Sequence, residues 1–447
     1  MNEAKNKGLL NCLRSIDWFL LVFISLFTMD KVVLKPVVLI AGLIYIGRYL
    51  SIRQIRQAPL FYLLIPVLEI IKLLFLNHDF SSGHIVSFLV GECYWLMCLL
   101  AFVMMATEVK RMSTLNISRT LIAFFFINFF WSLGNLVHVI VLAHTINPYS
   151  SVLLAYGNST GDYIKGIFMG PCYINAFVNS FFAIYFLYSK RYFLTFLAVL
   201  TACLTTSNFV NIIFIPVLLV LAFVMKDKKA KWIILGQLVL FAVFYIFASY
   251  DNLVYLFSSL RAKEDFTQMP LSSGEKKLLK PNGKAVSVEQ TYNYLLSSPG
   301  HFLFGSGIGD FSSQLAVRTS DLNIKNSSRL FKLLPRHMSP DFLQNHYRIY
   351  SLVYSLPPAY HSIRHLPSSF LNQIFGEYGV VGFLIFILFY VFYVFRRHKQ
   401  ISYSLVMMIL LGCYLMFDYL FEYLSVVVIF ELFFLLDLKQ HQEKNTR

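Results

Sequence analysis

The sequence predicts an all-α polytopic membrane protein of about 12 transmembrane helices, with one large external loop that itself contains amphipathic helices. Three observations carry this. Residues of the AVILMFWYC set make up 57% of the 447-residue chain against 14% charged residues, and the mean hydropathy is +0.63, a balance typical of polytopic membrane proteins rather than soluble domains. The apolar residues fall in runs approaching the roughly 20 residues that cross a bilayer. Lysine and arginine collect in alternate gaps between those runs.

The runs lie at about 16–29, 32–49, 59–77, 85–106, 120–143, 169–188, 193–205, 209–225, 232–249, 367–395, 402–417 and 424–438. Basic clusters follow at the N-terminus, at 48–56 (Arg48, Arg53, Arg56), 108–119 (Lys110, Arg111, Arg119), 190–191, 226–231 and 396–399, and at the C-terminus. With twelve spans these clusters all fall on one side, so both termini are expected in the cytoplasm; eleven spans split the pattern. Asp418 and Glu422 divide the last apolar stretch in two. Lys5, Lys7 and Arg14 precede the first run without a small-residue cleavage site, which reads as an uncleaved first span. The predicted organisation is spans 1–9 over 1–249, an external loop over 250–366, spans 10–12 over 367–438 and a cytoplasmic tail over 439–447.

The net charge of +15 is a topology signal here and does not point to nucleic acid. The six cysteines lie in or beside apolar segments, which implies neither a disulfide framework nor a thiolate metal site. No HExxH motif occurs. Within the spans, Glu69 and Lys72 are three apart and positioned to neutralise each other, whereas Lys35, Glu92, His138 and Glu431 have no local partner and are functional candidates by default. Lys35 is also close enough to a span end to snorkel.

The external loop holds thirteen Lys/Arg against eight Asp/Glu and five of the eleven histidines, His301, His337, His346, His361 and His365. Val288, Tyr292, Leu295 and Leu296 follow helical spacing, so this segment is expected to lie as an amphipathic helix on the membrane or the bundle, closed by Pro299-Gly300. The next stretch, HFLFGSGIGDF, carries Gly305, Gly307 and Gly309 but neither a preceding strand nor a following Lys-Ser/Thr, so its glycines are expected to serve a tight turn and close packing rather than a nucleotide. Arg329, Lys332, Arg336 and His337 lie among apolar residues, a pattern suited to an anionic surface. Ser339-Pro340-Asp341 is a strong helix start, with a run expected to Leu356 before Pro357-Pro358.

The loop ends in HSIRHLPSSF and runs straight into span ten. From Pro367 to Phe395 there are 29 residues, roughly 43 Å of helix against a hydrocarbon core of about 30 Å. Its first turns are expected to stand above the lipid, presenting free N–H groups beside Arg364 and His365 as a place for a phosphate. His361 and His365 are four apart, but no nearby carboxylate or cysteine completes a ligand set, so no metal site and no cofactor are expected. Gly376, Gly379 and Gly382 recur every third residue, which allows another helix to approach closely.

HFLFGSGIGDF after an amphipathic helix, then a long loop, then PSSFLNQIFGEYGVVGF opening a span, resembles the shared C-terminal region of bacterial O-antigen polymerases and O-antigen ligases. CLTTSNFVNIIFIPVLLVL is similar to the span these proteins carry before the loop, and the matches together cover roughly 200 to 438. The resemblance implies a metal-independent, GT-C-like glycosyltransferase of the bacterial inner membrane, working at the periplasmic face on undecaprenyl-diphosphate-linked oligosaccharide. A chain-length regulator and a flippase of the same pathway are implied partners, beside membrane lipids. Two departures stand out. Many members carry Arg where this chain has Asn208, and many ligases carry a His-Asn pair where it has Pro367-Ser368. The second favours the oligosaccharide repeat unit polymerase, with the ligase and a lipid-linked oligosaccharide flippase as alternatives.

In such a transfer the leaving diphosphate carries the charge problem. Arg364 is the expected catalytic cation, with His365 or His337 as proton acceptor. Arg336, Arg348, His361, Arg329 and Lys332 are the expected substrate-binding residues.

Overall fold

The computed structural model describes residues 15–31, 33–50, 52–76, 80–149, 160–250, 252–254, 283–322, 333–355 and 365–446. Among these there is no strand. The main helices are α1 (Trp18–Phe27), α2 (Leu34–Ile46), α3 (Phe61–Phe75), α4 (Ser82–Arg111), α5 (Thr114–Ala143), α6 (Cys172–Tyr188), α7 (Tyr192–Leu204), α8 (Asn208–Val224), α9 (Lys228–Val243), α10 (Gly283–Ser297), α11 (Pro299–Phe304), α12 (Gln314–Thr319), α13 (Arg348–Ser355), α14 (Phe370–Phe386), α15 (Tyr403–Leu415) and α16 (Leu424–Asn445). Each of the twelve apolar runs is thus helical. Among the described residues, four helical stretches, Ser82–Arg111, Thr114–Ala143, Lys228–Ala248 and Phe370–Gln400, are long and apolar enough to cross a membrane.

The bundle is organised around α16, which is buried on all sides from Leu424 to Phe434 and packs against α4, α6 and α15. An all-round apolar helix belongs in an interior. The outer helices instead turn bulky apolar side chains outward: Phe223, Phe247 and Ile44 are each at least 78% exposed. So much outward apolar surface fits a lipid surround rather than water.

Local signals explain the helix boundaries. Ser81 and Ser113 cap α4 and α5 by accepting the N–H groups of His84 and Asn116. Ser339 accepts the N–H of Phe342, starting the helical run that continues through Ser355, as its Ser-Pro-Asp signature predicts.

One expectation is met with the faces reversed, and one fails. Helix α10 forms where expected, but it presents Ser287, Thr291 and Tyr294 to the bundle and leaves Val288, Tyr292 and Leu296 outward. Hydrogen bonding decides this: Asn372 Nδ2 donates to Ser287 Oγ at 2.9 Å, and Thr291 Oγ1 donates to Asn372 Oδ1 at 3.1 Å. The start of α14 is not an exposed anion site. It begins at Phe370, is capped by Ser369, and lies buried beneath α10, while the N–H of Phe370 is taken by the Asp418 carbonyl.

Gly376 and Gly379 of α14 do admit a close neighbour, and that neighbour comes from the loop. The helix breaks at Gly379, φ 63°, and a Cβ there stands 2.5 Å from the backbone of Leu303 at the end of α11.

Candidate functional site

The segment from Gly305 to Gln314 forms the base of the long loop, and buried groups of the bundle hold it down. Ser306 N donates to the Gly376 carbonyl at 2.8 Å and Gly307 N to the Glu377 carbonyl at 3.0 Å. Ile308 N donates to Glu69 Oε2 at 2.9 Å and Gln314 N to Glu422 Oε2 at 2.7 Å. These N–H groups therefore face protein acceptors, whereas a phosphate-gripping loop keeps them for its ligand. Gly305 sits at φ 67°, and a Cβ on it stands 2.5 Å from the Glu377 backbone. The expected role of the glycines in turning and close packing is the observed one.

Glu69 and Lys72 pair at 2.8 Å, as their spacing suggested, and are 2% and 5% exposed. Lys72 Nζ also donates to the Glu377 carbonyl at 2.7 Å. The pair thereby joins α3 to both α14 and the loop base.

Beside this anchor is a cavity of about 100 Å³. Lys35, Asp30, Arg318, Gln314, Gln373 and Glu422 supply its polar lining, while Trp95, Tyr378 and Leu315 supply apolar wall. Ser313 caps α12 by accepting the N–H of Ala316. Gln314 and Arg318, four apart on that helix, thus share one face. Glu422 accepts from Gln373 Nε2 at 2.7 Å as well as from Gln314 N, and Gln314 Nε2 donates to Tyr423 Oη at 2.9 Å. Burial, with Glu377 close by, pushes the Glu422 carboxyl well above the ordinary carboxylate range.

A second cluster lies toward the start of α4. Asp310 Oδ1 is 2.5 Å from His337 Nε2, and Asp310 Oδ2 is 3.5 Å from His84 Nδ1. Burial raises the Asp310 carboxyl, but His337 and His84 together outweigh it and hold the group below its usual range. Asp310 also positions the next helical run, since Ser339 Oγ donates to its carbonyl.

His346 packs inside the loop, with Nδ1 2.7 Å from Ser312 Oγ and Nε2 3.2 Å from the Ser287 carbonyl. Burial, reinforced by the Lys284 ammonium, pushes it down to about 3. The unfolded chain takes up this proton near pH 6.5, so stability declines as pH falls from about 6.5 toward 3, by at most about 1.4 kcal/mol per pH unit. His346→Gln is expected to flatten the acid side of a thermal-stability profile in detergent. An unchanged slope between pH 6 and roughly 4 contradicts this assignment.

Of the residues nominated from sequence, Arg364, His361, Arg329 and Lys332 lie outside the described residues. Arg336 and Arg348 are exposed, and His337 and His365 are buried; none of the four lines the cavity. His138 is exposed, while Glu431 is buried and accepts from Tyr62 Oη at 2.6 Å. Lys35 is 8% exposed and lines the cavity.

Sequence reasoning missed Arg318, Gln314, Gln373, Asp310 and His84. The legible signals were the i, i+4 spacing of Gln314 and Arg318 and the presence of buried-type carboxylates on neighbouring apolar runs. No protein-family model, curated protein or solved structure matches this chain significantly.

Proposed function

We propose that this chain is an oligosaccharide repeat unit polymerase of the O-antigen type, acting at the periplasmic face of the inner membrane through a twelve-span, GT-C-like bundle. It transfers a growing glycan from undecaprenyl diphosphate to a lipid-linked repeat unit. The observation that supports this beyond the sequence resemblance is the cavity that brings Arg318 and Lys35 together with Glu422, Gln314 and Gln373 beneath the loop base.

The chemistry requires those types of group. An acceptor hydroxyl oxygen bonds to the anomeric carbon of the donor glycan, and the bond from that carbon to the diphosphate oxygen breaks. The electron pair leaves with the diphosphate, whose growing charge is stabilised by the Arg318 fork and the Lys35 ammonium. Glu422, in its ionised form, takes the hydroxyl proton. Gln314 and Gln373 hold Glu422 in place, and their remaining amide groups suit sugar hydroxyls. Arg364 and His365 remain the sequence's nominees for the same roles.

Purified protein reconstituted with undecaprenyl-diphosphate-linked repeat units is expected to lengthen the glycan and to release one undecaprenyl diphosphate for each linkage made. Folded protein that neither lengthens glycan nor releases the carrier, given the repeat unit of its own source, rules the reading out.

A further inference from the structure

His84, Asp310 and His337 bring one ligand atom each within 4.8 Å of one another, and all three residues are buried. They come from separate parts of the chain: the first turn of α4, the loop base, and the return segment before Ser339. The geometry points to a site for a divalent transition metal of the zinc class, with two imidazoles and one carboxylate as protein ligands, that staples the long loop to the bundle.

Ligand identity and spacing both support a metal. Two histidines and a carboxylate form a recurrent zinc set, leaving a fourth position for water. Ligand atoms around a tetrahedral zinc stand about 3.4 Å apart when its bonds are roughly 2.0–2.1 Å. The His84 to Asp310 separation of 3.5 Å matches that spacing and is longer than an ordinary hydrogen bond of about 2.7–3.2 Å. His337 Nε2 stands 2.5 Å from the other carboxylate oxygen, Asp310 Oδ1, and this hydrogen bond opens as an ion comes between the two groups.

The surroundings hold the ligands in place. His84 N is capped by Ser81 Oγ at 3.3 Å, His337 N donates to the Thr319 carbonyl at 2.9 Å, and Asp310 N donates to the Gly307 carbonyl at 3.1 Å. The return segment rides directly on the helix start, since a Cβ on Gly83 stands 2.3 Å from the Arg336 carbonyl oxygen. Ser87, one turn beyond His84, is fully buried with no partner for its hydroxyl, and it faces Gly309, the neighbour of Asp310. A buried unpaired polar atom beside such a cluster marks a place for water or an ion.

None of the three ligands lines the cavity that holds Arg318, so the metal acts by holding the loop base and α12 against α4. The inference does not depend on the polymerase reading. It departs from the sequence expectation because that expectation considered only His361 and His365.

The test uses untagged full-length protein in detergent, stripped with chelator and titrated with Co²⁺ and Zn²⁺. Expected are one tightly held metal per chain and the visible absorption of four-coordinate Co²⁺. His84→Gln, Asp310→Asn and His337→Gln are each expected to weaken binding at least tenfold, while His301→Gln leaves it unchanged. Zinc is also expected to raise the melting temperature of the parent protein, a readout that stands even if a ligand variant fails to fold. Parent protein that binds no more metal than the His84→Gln/His337→Gln double variant, or that gains no thermal stability from zinc, overturns the site. Either result leaves the polymerisation assay to be judged separately.

Discussion

Replacing Arg318 by Lys is expected to slow glycan extension by about a hundredfold or more, corresponding to roughly 3–4 kcal/mol of lost transition-state stabilisation. The substitution keeps the charge and removes the fork. A guanidinium makes two parallel hydrogen bonds to a phosphate, whereas an ammonium acts as a point charge. Arg318 lies in the cavity with Lys35, so Arg318→Lys preserves net charge and isolates geometry from electrostatics. Extension rate per mole of folded protein is the measurement. Arg336→Lys and Arg348→Lys are the controls, because both parent side chains are exposed and neither lines the cavity. If Arg364→Lys abolishes extension while Arg318→Lys is near normal, the leaving-group cation belongs to the end of the loop and the cavity is not the reaction site.

The largest expected stability effect is at Lys72. Lys72→Met leaves Glu69 buried without its cation, and breaking a buried ion pair by removing one partner typically costs about 3–5 kcal/mol. Removing both charges together costs much less, since well-packed neutral replacements of buried pairs are often close to neutral. Glu69→Gln retains a carbonyl oxygen for the N–H of Ile308, which the carboxylate now accepts at 2.9 Å. The melting temperature in detergent is therefore expected to fall steeply for Lys72→Met and to recover largely in Glu69→Gln/Lys72→Met. A single variant as stable as the parent contradicts the anchoring role given to this pair.

Particular residues show what was readable from the chain alone. Apolar runs mark helices because burial in lipid or in a bundle imposes long uninterrupted hydrophobic stretches. All twelve runs accordingly coincide with helices. The Glu69–Lys72 pair was legible because residues three apart share a helix face. The orientation of α10 was not. Its outward apolar stripe looks like a buried face by periodicity, and only the distant Asn372 shows that Ser287 and Thr291 point inward.

The candidate site was hidden for the same reason. Lys35, Arg318, Gln373 and Glu422 meet in one cavity, although they come from four separate parts of the sequence. His84 and Asp310 are 226 residues apart, and no local spacing rule joins residues at that distance. Attention to the basic end of the loop followed from local density of Arg and His, whereas the cavity is built by pairing the loop base with α2, α4 and α14. Asn208 illustrates the opposite case: its departure from the resembled pattern was visible at once, and the structure gives it a packing role, with Tyr245 Oη donating to Asn208 Oδ1 at 3.2 Å.

The most direct test of the polymerase function is the lipopolysaccharide ladder of a strain from which this chain has been deleted. The expected result is core bearing a single repeat unit, with the full ladder restored by the parent gene and not by Arg318→Lys. Bare core with polymer stranded on its carrier lipid contradicts the polymerase assignment and identifies a ligase. A normal ladder in the deletion strain contradicts both.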